Sequence, residues 1–223
     1  MYNKEDHASA LPALDLTPSP SPSSPPNSRR SLLTKLLEIE WNHHFPLNLE
    51  TCKCTIRLVE PEIAFQFINQ NYHEIFELEL WKNPFFTEQQ TEAKTQYYKE
   101  CGDFFMIYGG ELPIGILVGT LTDWSTYYIR SAGILREHQG NGTIAQLLTY
   151  LAKILMASGI NRIEADASVS NSASIQTLLR ARFKVTGMQL SERWGALLHF
   201  TNFLSAPGEK IFLDQYCHGA RLQ

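Results

Sequence analysis

One short segment of the chain combines residue types that bind an anion. It consists of Gln139, Gly140, Asn141, Gly142, Thr143 and Ile144, and apolar residues at helical spacing follow it. The first amide groups of a helix lack partners within it, the helix dipole is positive there, and glycines let a phosphate approach the backbone. The segment has neither the lysine of a P-loop nor the third glycine of a dinucleotide-binding loop. It indicates a pyrophosphate held by backbone groups, or a turn that only satisfies chain geometry.

Two carboxylates lie further along the chain, in a segment with the character of a strand. Glu164 and Asp166 are two residues apart, so their side chains project to the same side of the strand over Arg162–Val169. Ala165 and Ala167 flank Asp166 and leave room for a substrate or for water. These carboxylates are candidates for proton transfer, or acceptors of hydrogen bonds from neighbouring strands. His138 is of a residue type suited to proton transfer, but its place in the loop favours a solvated side chain.

Hydrophobic periodicity predicts the elements that position these residues. After a short helix from Ser31 to Trp41, a strand is predicted over Thr51–Val59, and helices over Pro61–Phe76 and Thr87–Glu100. An antiparallel series follows, with strands over Asp103–Tyr108, Leu112–Thr122 and Tyr127–Leu135. The predicted remainder is a helix from Ile144 that ends at Gly159, the strand Arg162–Val169, a helix over Ser172–Ala181, and strands over Phe183–Leu190 and Arg193–Phe203.

Composition excludes several classes of protein. The net charge of −4 supplies no basic field for nucleic acid, and 43% hydrophobic residues suffice for a packed core. The longest apolar stretches are too short for a membrane helix, and no signal peptide is visible. The four cysteines form no C-x-x-C pair, and Cys52 and Cys54 are interpreted as packing residues of a strand. We expect a protein of a reducing compartment, in the cytoplasm.

The chain divides into four parts. Residues 1–30 hold six of the eleven prolines and are predicted to be a disordered Pro/Ser-rich tail, either a docking ligand or an unconstrained extension. Residues 31–50 are predicted to form an N-terminal helix and linker, residues 51–205 the main domain, and residues 206–223 a C-terminal extension.

The strand order, the loop and the helix together resemble the GNAT superfamily of acyl-CoA-dependent N-acyltransferases. The family loop Gln/Arg-x-x-Gly-x-Gly/Ala corresponds to Gln139-Gly-Asn-Gly142-Thr-Ile144, preceded by Ile134-Leu-Arg136. A second family segment corresponds to Asp166-Ala-Ser-Val-Ser-Asn171-Ser-Ala-Ser-Ile175. The resemblance extends over about Thr51 to Phe203. It implies an α/β (α+β) fold, a mixed and mostly antiparallel central sheet flanked by helices.

Three positions depart from the family pattern. Ile144 replaces a small residue, and Arg182 stands where a glycine usually precedes the aromatic residue, here Phe183. Leu178 occupies the position at which many members place a tyrosine that protonates the departing thiolate. A thiolate is a good leaving group, with a pKa of roughly 8.5 by analogy with cysteine, so loss of this acid does not abolish the predicted activity.

The resemblance also implies roles for individual residues. Acetyl-CoA is expected as the co-substrate, without a metal, and its contacts are expected from Ile134, Leu135, Arg136, Gln139, Gly140, Asn141, Gly142, Thr143, Ile144 and Asn171. Asp166 is the first candidate for the catalytic base, and Glu164 is the reserve. Amide groups near Leu135 are expected to polarise the thioester carbonyl. Asn171 either contacts the pantetheine arm or caps the next helix.

The acceptor is predicted only as a class. The stretch Tyr72–Phe86, with Glu74, Glu77 and Glu79, corresponds to the region that lines the acceptor site in the family, or is a solvated acidic face. Trp124, Tyr127 and Tyr128 belong either to the core or to an acceptor wall. The predicted function is acetyl transfer to a primary amine of a small molecule, peptide or protein. The alternatives are a non-catalytic acyl-CoA-binding module and an interaction domain that binds no CoA. Neither nucleic acid nor membrane is an expected partner, and a homodimer is left open.

Overall fold

The computed structural model describes residues 39–76, 88–191 and 194–216. The tail over residues 1–30 and most of the helix predicted from Ser31 lie outside this part of the chain. The end of that predicted helix is described, and there Trp41–His43 form a single 3-10 turn.

The strands and helices follow nearly the predicted order. The strands are β1 Leu47–Leu49, β2 Cys54–Leu58, β3 Asp103–Gly109, β4 Leu112–Leu121, β5 Thr126–Ile134, β6 Arg162–Ser168, β7 Lys184–Ser191 and β8 Gly195–Phe203. The helices are α1 Pro61–Phe76, α2 Glu88–Cys101, α3 Thr143–Ala157, α4 Ser172–Arg180 and α5 Ala206–Tyr216. These elements confirm the predicted helix and strand pattern from residue 54 to residue 203.

The two ends of this pattern contain elements that the sequence does not predict. The predicted strand from Thr51 begins three residues late, because Glu50–Cys52 form a 3-10 turn that ends at Lys53 with a φ of +54°. A three-residue strand, β1, precedes this turn and pairs with β2. The C-terminal extension contains the helix α5, in which Phe212 packs against Phe203 of β8 with 5.2 Å between ring centroids.

The eight strands form one mixed sheet in the order β1-β2-β3-β4-β5-β6-β8-β7. Every neighbouring pair is antiparallel except β5 and β6, which are parallel. The β5–β6 register runs from Thr126↔Arg162 to Ile129↔Ala165 and stops there, although β5 continues to Ile134. The sheet therefore opens into a cleft between β5 and β6, and the apex of this cleft lies beside Ile129 and Ala165.

A bulge in β5 coincides with the apex of the cleft. Ile129 pairs with Gly119 and Ser131 pairs with Val118, so Arg130 is the extra residue. A bulge of this kind bends its strand and increases the local twist. The bend explains why β5 separates from β6 at this point.

Helices cover both faces of the sheet. On one face, α3 and α4 bury Leu147, Leu151 and Leu178 in a large core with Phe105 and Tyr127. On the opposite face, α1 contributes Ala64 and Phe67 to a smaller core with Phe104, Met106, Ile116 and Val118. Adjacent residues of β3 thus alternate between the two cores, as a strand buried on both faces requires. This arrangement confirms the predicted mixed sheet with flanking helices.

Two glycines allow close contacts, one between β4 and the ring of Tyr127 and one between β5 and α1. A Cβ on Gly119 of β4 would overlap the ring of Tyr127, which is fully buried and donates a 2.9 Å hydrogen bond to Oδ2 of Asp103. A Cβ on Gly133 would overlap Ile75 near the end of α1. Helix α1 therefore lies directly against β5 next to the cleft.

Candidate active site

The loop between β5 and α3 leaves several backbone groups without partners in the fold. Gly142 is the N-cap residue of α3, with a φ of +69°, and no side chain caps the helix. The amide groups of Thr143, Ile144 and Ala145 therefore face outward without a helical acceptor. Gly140 also adopts a left-handed conformation, with a φ of +85°. Unsatisfied amides at a helix N-terminus favour an anionic group in front of the loop.

Open space surrounds both glycines of this loop. A Cβ on Gly140 would meet no atom within 4 Å, and one on Gly142 would meet only Nε2 of Gln146, at 3.9 Å. The side chain of Gln139 turns back and donates a 2.8 Å hydrogen bond to the carbonyl of Ile134. The loop thus has a defined shape together with an unobstructed outer side, which fits the expected pyrophosphate site.

Thr143 anchors the start of α3. Its side chain is buried next to the thiol of Cys54 on β2, and this thiol donates a 3.1 Å hydrogen bond to the carbonyl of Cys52. Burial raises the pKa of the Cys54 thiol, which keeps it in the neutral form. Cys54 is thus a packing residue under the loop, as its place in a strand predicts.

The amides at the end of β5 are arranged differently from the prediction. The Leu135 amide donates a 2.8 Å hydrogen bond to the carbonyl of Ile114, so it is already used by β4 and cannot polarise a thioester. The next amide, of Arg136, donates a 2.8 Å hydrogen bond to Oε1 of Glu74 on α1. Because amides alternate along a strand, those of Ala132 and Ile134 point away from β4 and into the cleft.

Asp166 lies at the apex of the cleft and accepts three hydrogen bonds. It is the first residue of β6 beyond the last pair with β5. Its Oδ2 accepts from the Tyr128 hydroxyl at 2.6 Å and from Nε2 of Gln189 at 2.8 Å. Its Oδ1 lies 2.7 Å from Nδ1 of His199. Three strands thus supply polar groups to one carboxylate.

Glu164 shares the face of Asp166, as the two-residue spacing predicts, and both contact His199. Nε2 of His199 lies 3.7 Å from Oε2 of Glu164. The other oxygen of Glu164, Oε1, lies 3.2 Å from Nε of Arg162, which also donates a 3.0 Å hydrogen bond to Thr126. The side chains of Ile163, Ala165 and Ala167 instead face the large core that α3 and α4 cover. The polar face of β6 therefore lies on the side of the sheet opposite to α3.

A groove of about 870 Å³ extends from this polar cluster along β6 and β8 to α5. Glu164 and His199 line one end. Phe203 pairs with Arg162 four residues further along β8, and there the wall becomes apolar, with Ile211 and Phe212 of α5. The volume lies in the range of sites for small organic molecules.

The remaining predicted residues have several different roles in the structure. Asn171 is the N-cap of α4, and its Oδ1 accepts a 2.9 Å hydrogen bond from the amide of Ser174. Leu178 of α4 is buried in the large core, and Trp124 is exposed in the turn between β4 and β5. His138 ends a 3-10 turn in the loop and lies 3.3 Å from Glu137. The predicted acceptor residues Glu77 and Glu79 lie outside the described residues.

Sequence reasoning does not identify two residues of the polar cluster, Gln189 and His199, and it leaves Tyr128 open between core and acceptor wall. The available signal was the pattern of β8, in which His199 and Thr201 alternate with Leu198 and Phe200. Such alternation places the histidine on one face, but it does not identify the residue opposite, which depends on the β6–β8 register.

Two further observations concern the described part of the chain. No group of three or more metal-binding side chains occurs among the residues that the structure describes. No helix in the described ranges combines the length and the apolar character needed to cross a membrane.

Comparison with known sequences identifies the family of this domain. The model of the acetyltransferase (GNAT) family matches residues 70–182, just over half of the chain. The match includes the loop and Asp166, and it ends before β7 and β8. No curated protein matches the sequence.

Solved structures with the same fold include acetyltransferases of different specificity. A spermidine N-acetyltransferase from Vibrio cholerae, in complex with CoA and spermine, has a TM-score of 0.52 and 14% identity over 68% of this chain and 96% of its own. An acetyltransferase from Salmonella typhimurium that modifies the N-terminal serine of a 50S ribosomal subunit protein has a TM-score of 0.51 and 15% identity, over 69% of this chain and 96% of its own. A ribosomal-protein-alanine acetyltransferase from Vibrio fischeri has a TM-score of 0.51 and 15% identity, with coverage of 69% and 94%. Similarity at this level of identity establishes the shared fold.

Proposed function

The chain belongs to the acetyltransferase (GNAT) family, and from this premise we propose that it transfers an acetyl group from acetyl-CoA to a primary amine. The observation that carries the proposal is the cleft between β5 and β6. It has uncapped helix amides on one side of the sheet and a cluster of carboxylates on the other. Two substrates can thus meet at its apex from opposite faces.

The donor half of the proposed site consists of the loop and the end of β5. The amides from Gly140 to Ala145 hold the pyrophosphate, and the open space at Gly140 and Gly142 admits it. The backbone from Ile134 to Arg136 and the side chain of Asn171 lie along the path of the pantetheine arm. Acetyl-CoA supplies the activated acyl group, and the inward-pointing amide of Ala132 is placed to hydrogen-bond its carbonyl oxygen.

The acceptor half of the proposed site consists of the polar face of β6 and the groove towards α5. A primary amine with a pKa of roughly 10 is mostly protonated at neutral pH, so a base must remove a proton before the amine attacks. Asp166 and Glu164 provide the negative charge that attracts the ammonium group and assists this step. The size of the groove favours a small-molecule amine, and its open end also admits the N-terminus of a peptide.

Calorimetry with acetyl-CoA tests the donor half. Gly142→Asp places a carboxylate against the pyrophosphate, and we expect the dissociation constant to rise at least about tenfold. Gly110→Asp is the matched control, since Gly110 has a nearly equal φ of +67° and equally open space but lies in the β3–β4 turn. Unchanged affinity in a folded Gly142→Asp protein would show that the donor site is wrongly placed.

Release of CoA in the presence of a panel of primary amines tests the transfer itself. The panel contains alkyl and aromatic monoamines, polyamines and short peptides with free N-termini. We expect release to depend on the amine and an N-acetylated product to form. Tight binding of acetyl-CoA without release for any amine would instead support the non-catalytic acyl-CoA-binding module.

A further inference from the structure

We propose that His199 is the catalytic base of this site and that Asp166 is the residue that positions it. This inference rests on the proposed acetyl transfer and assigns the atom that receives the proton. It changes the role expected for Asp166, which becomes an anionic support instead of the direct acceptor.

The hydrogen bonds of Asp166 are the first reason. Tyr128 and Gln189 both donate to Oδ2, and His199 lies at Oδ1, so both oxygens are engaged by protein donors. The Asp166 side chain is also only 14% exposed, whereas that of His199 is 30% exposed. A substrate amine therefore reaches the histidine more readily than the carboxylate. A carboxylate held by three donors keeps its orientation.

The orientation of the imidazole is the second reason. Nδ1 lies 2.7 Å from Oδ1 of Asp166, a distance at which the carboxylate selects the tautomer with hydrogen on Nδ1. The lone pair is then on Nε2, which faces Glu164 and the groove. Imidazole changes its charge nearest to neutral pH among the ordinary side chains, so this nitrogen can take up a proton and release it again.

Two carboxylates lie close to the ring of His199. Asp166 and Glu164 face the ring from β6, and the neutral hydroxyl of Tyr128 approaches Asp166 from β5. Two cations approach the cluster: Arg162 lies against Oε1 of Glu164, the oxygen that does not contact the ring, and Arg130 lies over the ring of Tyr128. On the β7 side, Thr186 and Gln189 contribute uncharged groups. Two carboxylates thus stabilise the charge that forms on Nε2.

The proton balance of the reaction follows from this arrangement. Nε2 takes one proton from the ammonium group and leaves the free amine. The amine nitrogen forms a bond to the thioester carbon, and the carbon–sulfur bond breaks with its electron pair on sulfur. The second amine proton goes to the thiolate, and the proton on Nε2 returns to solvent. The products are the N-acetylated amine, CoA and a regenerated imidazole.

Turnover of three full-length variants tests the assignment. We expect His199→Gln to lower kcat/KM at neutral pH roughly 10²- to 10⁴-fold, with unchanged affinity for acetyl-CoA. The loss should shrink as the pH approaches the pKa of the amine, and added imidazole should restore part of the rate. His43→Gln is the matched control, because this exposed histidine lies in the 3-10 turn before β1 and contacts Glu40, and the variant should keep full activity.

Asp166→Asn separates positioning from proton transfer. The acidic limb of the pH profile of kcat/KM should move to lower pH, because the imidazolium loses an adjacent anion. A merely structural role of Asp166 would lower the rate without moving this limb. Near-normal turnover of His199→Gln together with an inactive Asp166→Asn would overturn the assignment and make Asp166 itself the base. If the wild-type protein acetylates no amine, the proposed function itself is wrong, whatever the role of His199.

A measurement on the unmodified protein is independent of how the variants fold. Nitrogen-15 NMR of the histidine side chains distinguishes the two neutral tautomers. We expect His199 to carry its hydrogen on Nδ1 at neutral pH. A hydrogen on Nε2 would leave no lone pair towards the groove and would overturn the proposal.

Discussion

The hydroxyl of Tyr128 on β5 donates a 2.6 Å hydrogen bond to Asp166 on β6 at the point where the two strands separate. The phenol ring is covered by the guanidinium of Arg130, 4.9 Å from its centroid, and the same guanidinium lies 5.3 Å from the ring of Tyr98 on α2. The bulged residue of β5 therefore packs between two aromatic rings. This contact connects α2 to the apex of the cleft.

Alkaline titration should reveal the environment of this tyrosine. Burial, followed by the hydrogen bond to Asp166, raises the pKa of Tyr128 well above its usual range, and burial with Asp103 nearby does the same for Tyr127. A raised pKa in the folded state contributes stability that is present below about pH 10, the usual pKa of an unfolded tyrosine, and that is lost as the pH rises through the folded value. We expect at least two of the nine tyrosines to ionise only when the protein unfolds.

Absorbance at alkaline pH, followed together with circular dichroism, checks this expectation. Tyr128→Phe and Tyr127→Phe should each remove one late-ionising phenol. Ionisation of all the phenols before any loss of structure would contradict the described burial.

Gly119 should not tolerate a side chain. Gly119→Ala would force the new methyl group into the buried ring of Tyr127, and overpacking of this kind costs about 1–3 kcal/mol or more. We expect denaturant unfolding to show a loss in that range. Gly187→Ala is the matched control in another strand, since its Cβ would meet only the Cβ of His199 at 3.7 Å, and we expect a change of less than about 1 kcal/mol. Equal losses would refute the steric explanation.

Arg182→Gly should stabilise the protein. Arg182 follows α4 with a φ of +67°, which explains why the family usually has glycine there. A left-handed conformation costs a non-glycine residue about 1–2 kcal/mol, and the backbone entropy of glycine offsets roughly 0.5–1 kcal/mol of the gain.

Thermal or denaturant unfolding should therefore show a gain of about 0.5–1 kcal/mol for Arg182→Gly. The neighbouring change Arg180→Gly, at the last residue of α4, should instead destabilise the protein by up to about 1 kcal/mol, because glycine lowers helix propensity. A loss of stability for Arg182→Gly would show that the arginine side chain makes contacts worth more than the backbone strain.

Deletion of residues 1–30 should leave the domain intact. The proline- and serine-rich composition of this segment offers little apolar surface to a core. We expect the Tm and the rate of CoA release to match those of the full chain within error. A marked decrease of either quantity would show that the segment docks onto the domain.

The sequence predicted the helices and strands well where local signals were strong. Proline at the first helical position and apolar periodicity predicted α1 with its observed bounds, Pro61–Phe76. The loop and the shared face of Glu164 and Asp166 likewise follow from local spacing. The partners of Asp166 could not be predicted, because Tyr128, Gln189 and His199 meet it only through the registers of four strands. Helix α5 lacks a strong apolar pattern in the sequence. Its role as a wall of the groove follows from its contact with β8 in the structure.

Gln189 gives an edge strand of the sheet a direct effect on the site. Among the strands that the structure describes, β7 pairs with β8 alone, and edge strands of this kind open locally at a lower free energy than central strands do. Each such opening withdraws one of the donors that hold Asp166. Activity should therefore decrease at denaturant concentrations below those of global unfolding, in step with amide hydrogen exchange in β7 and ahead of exchange in β4 and β5.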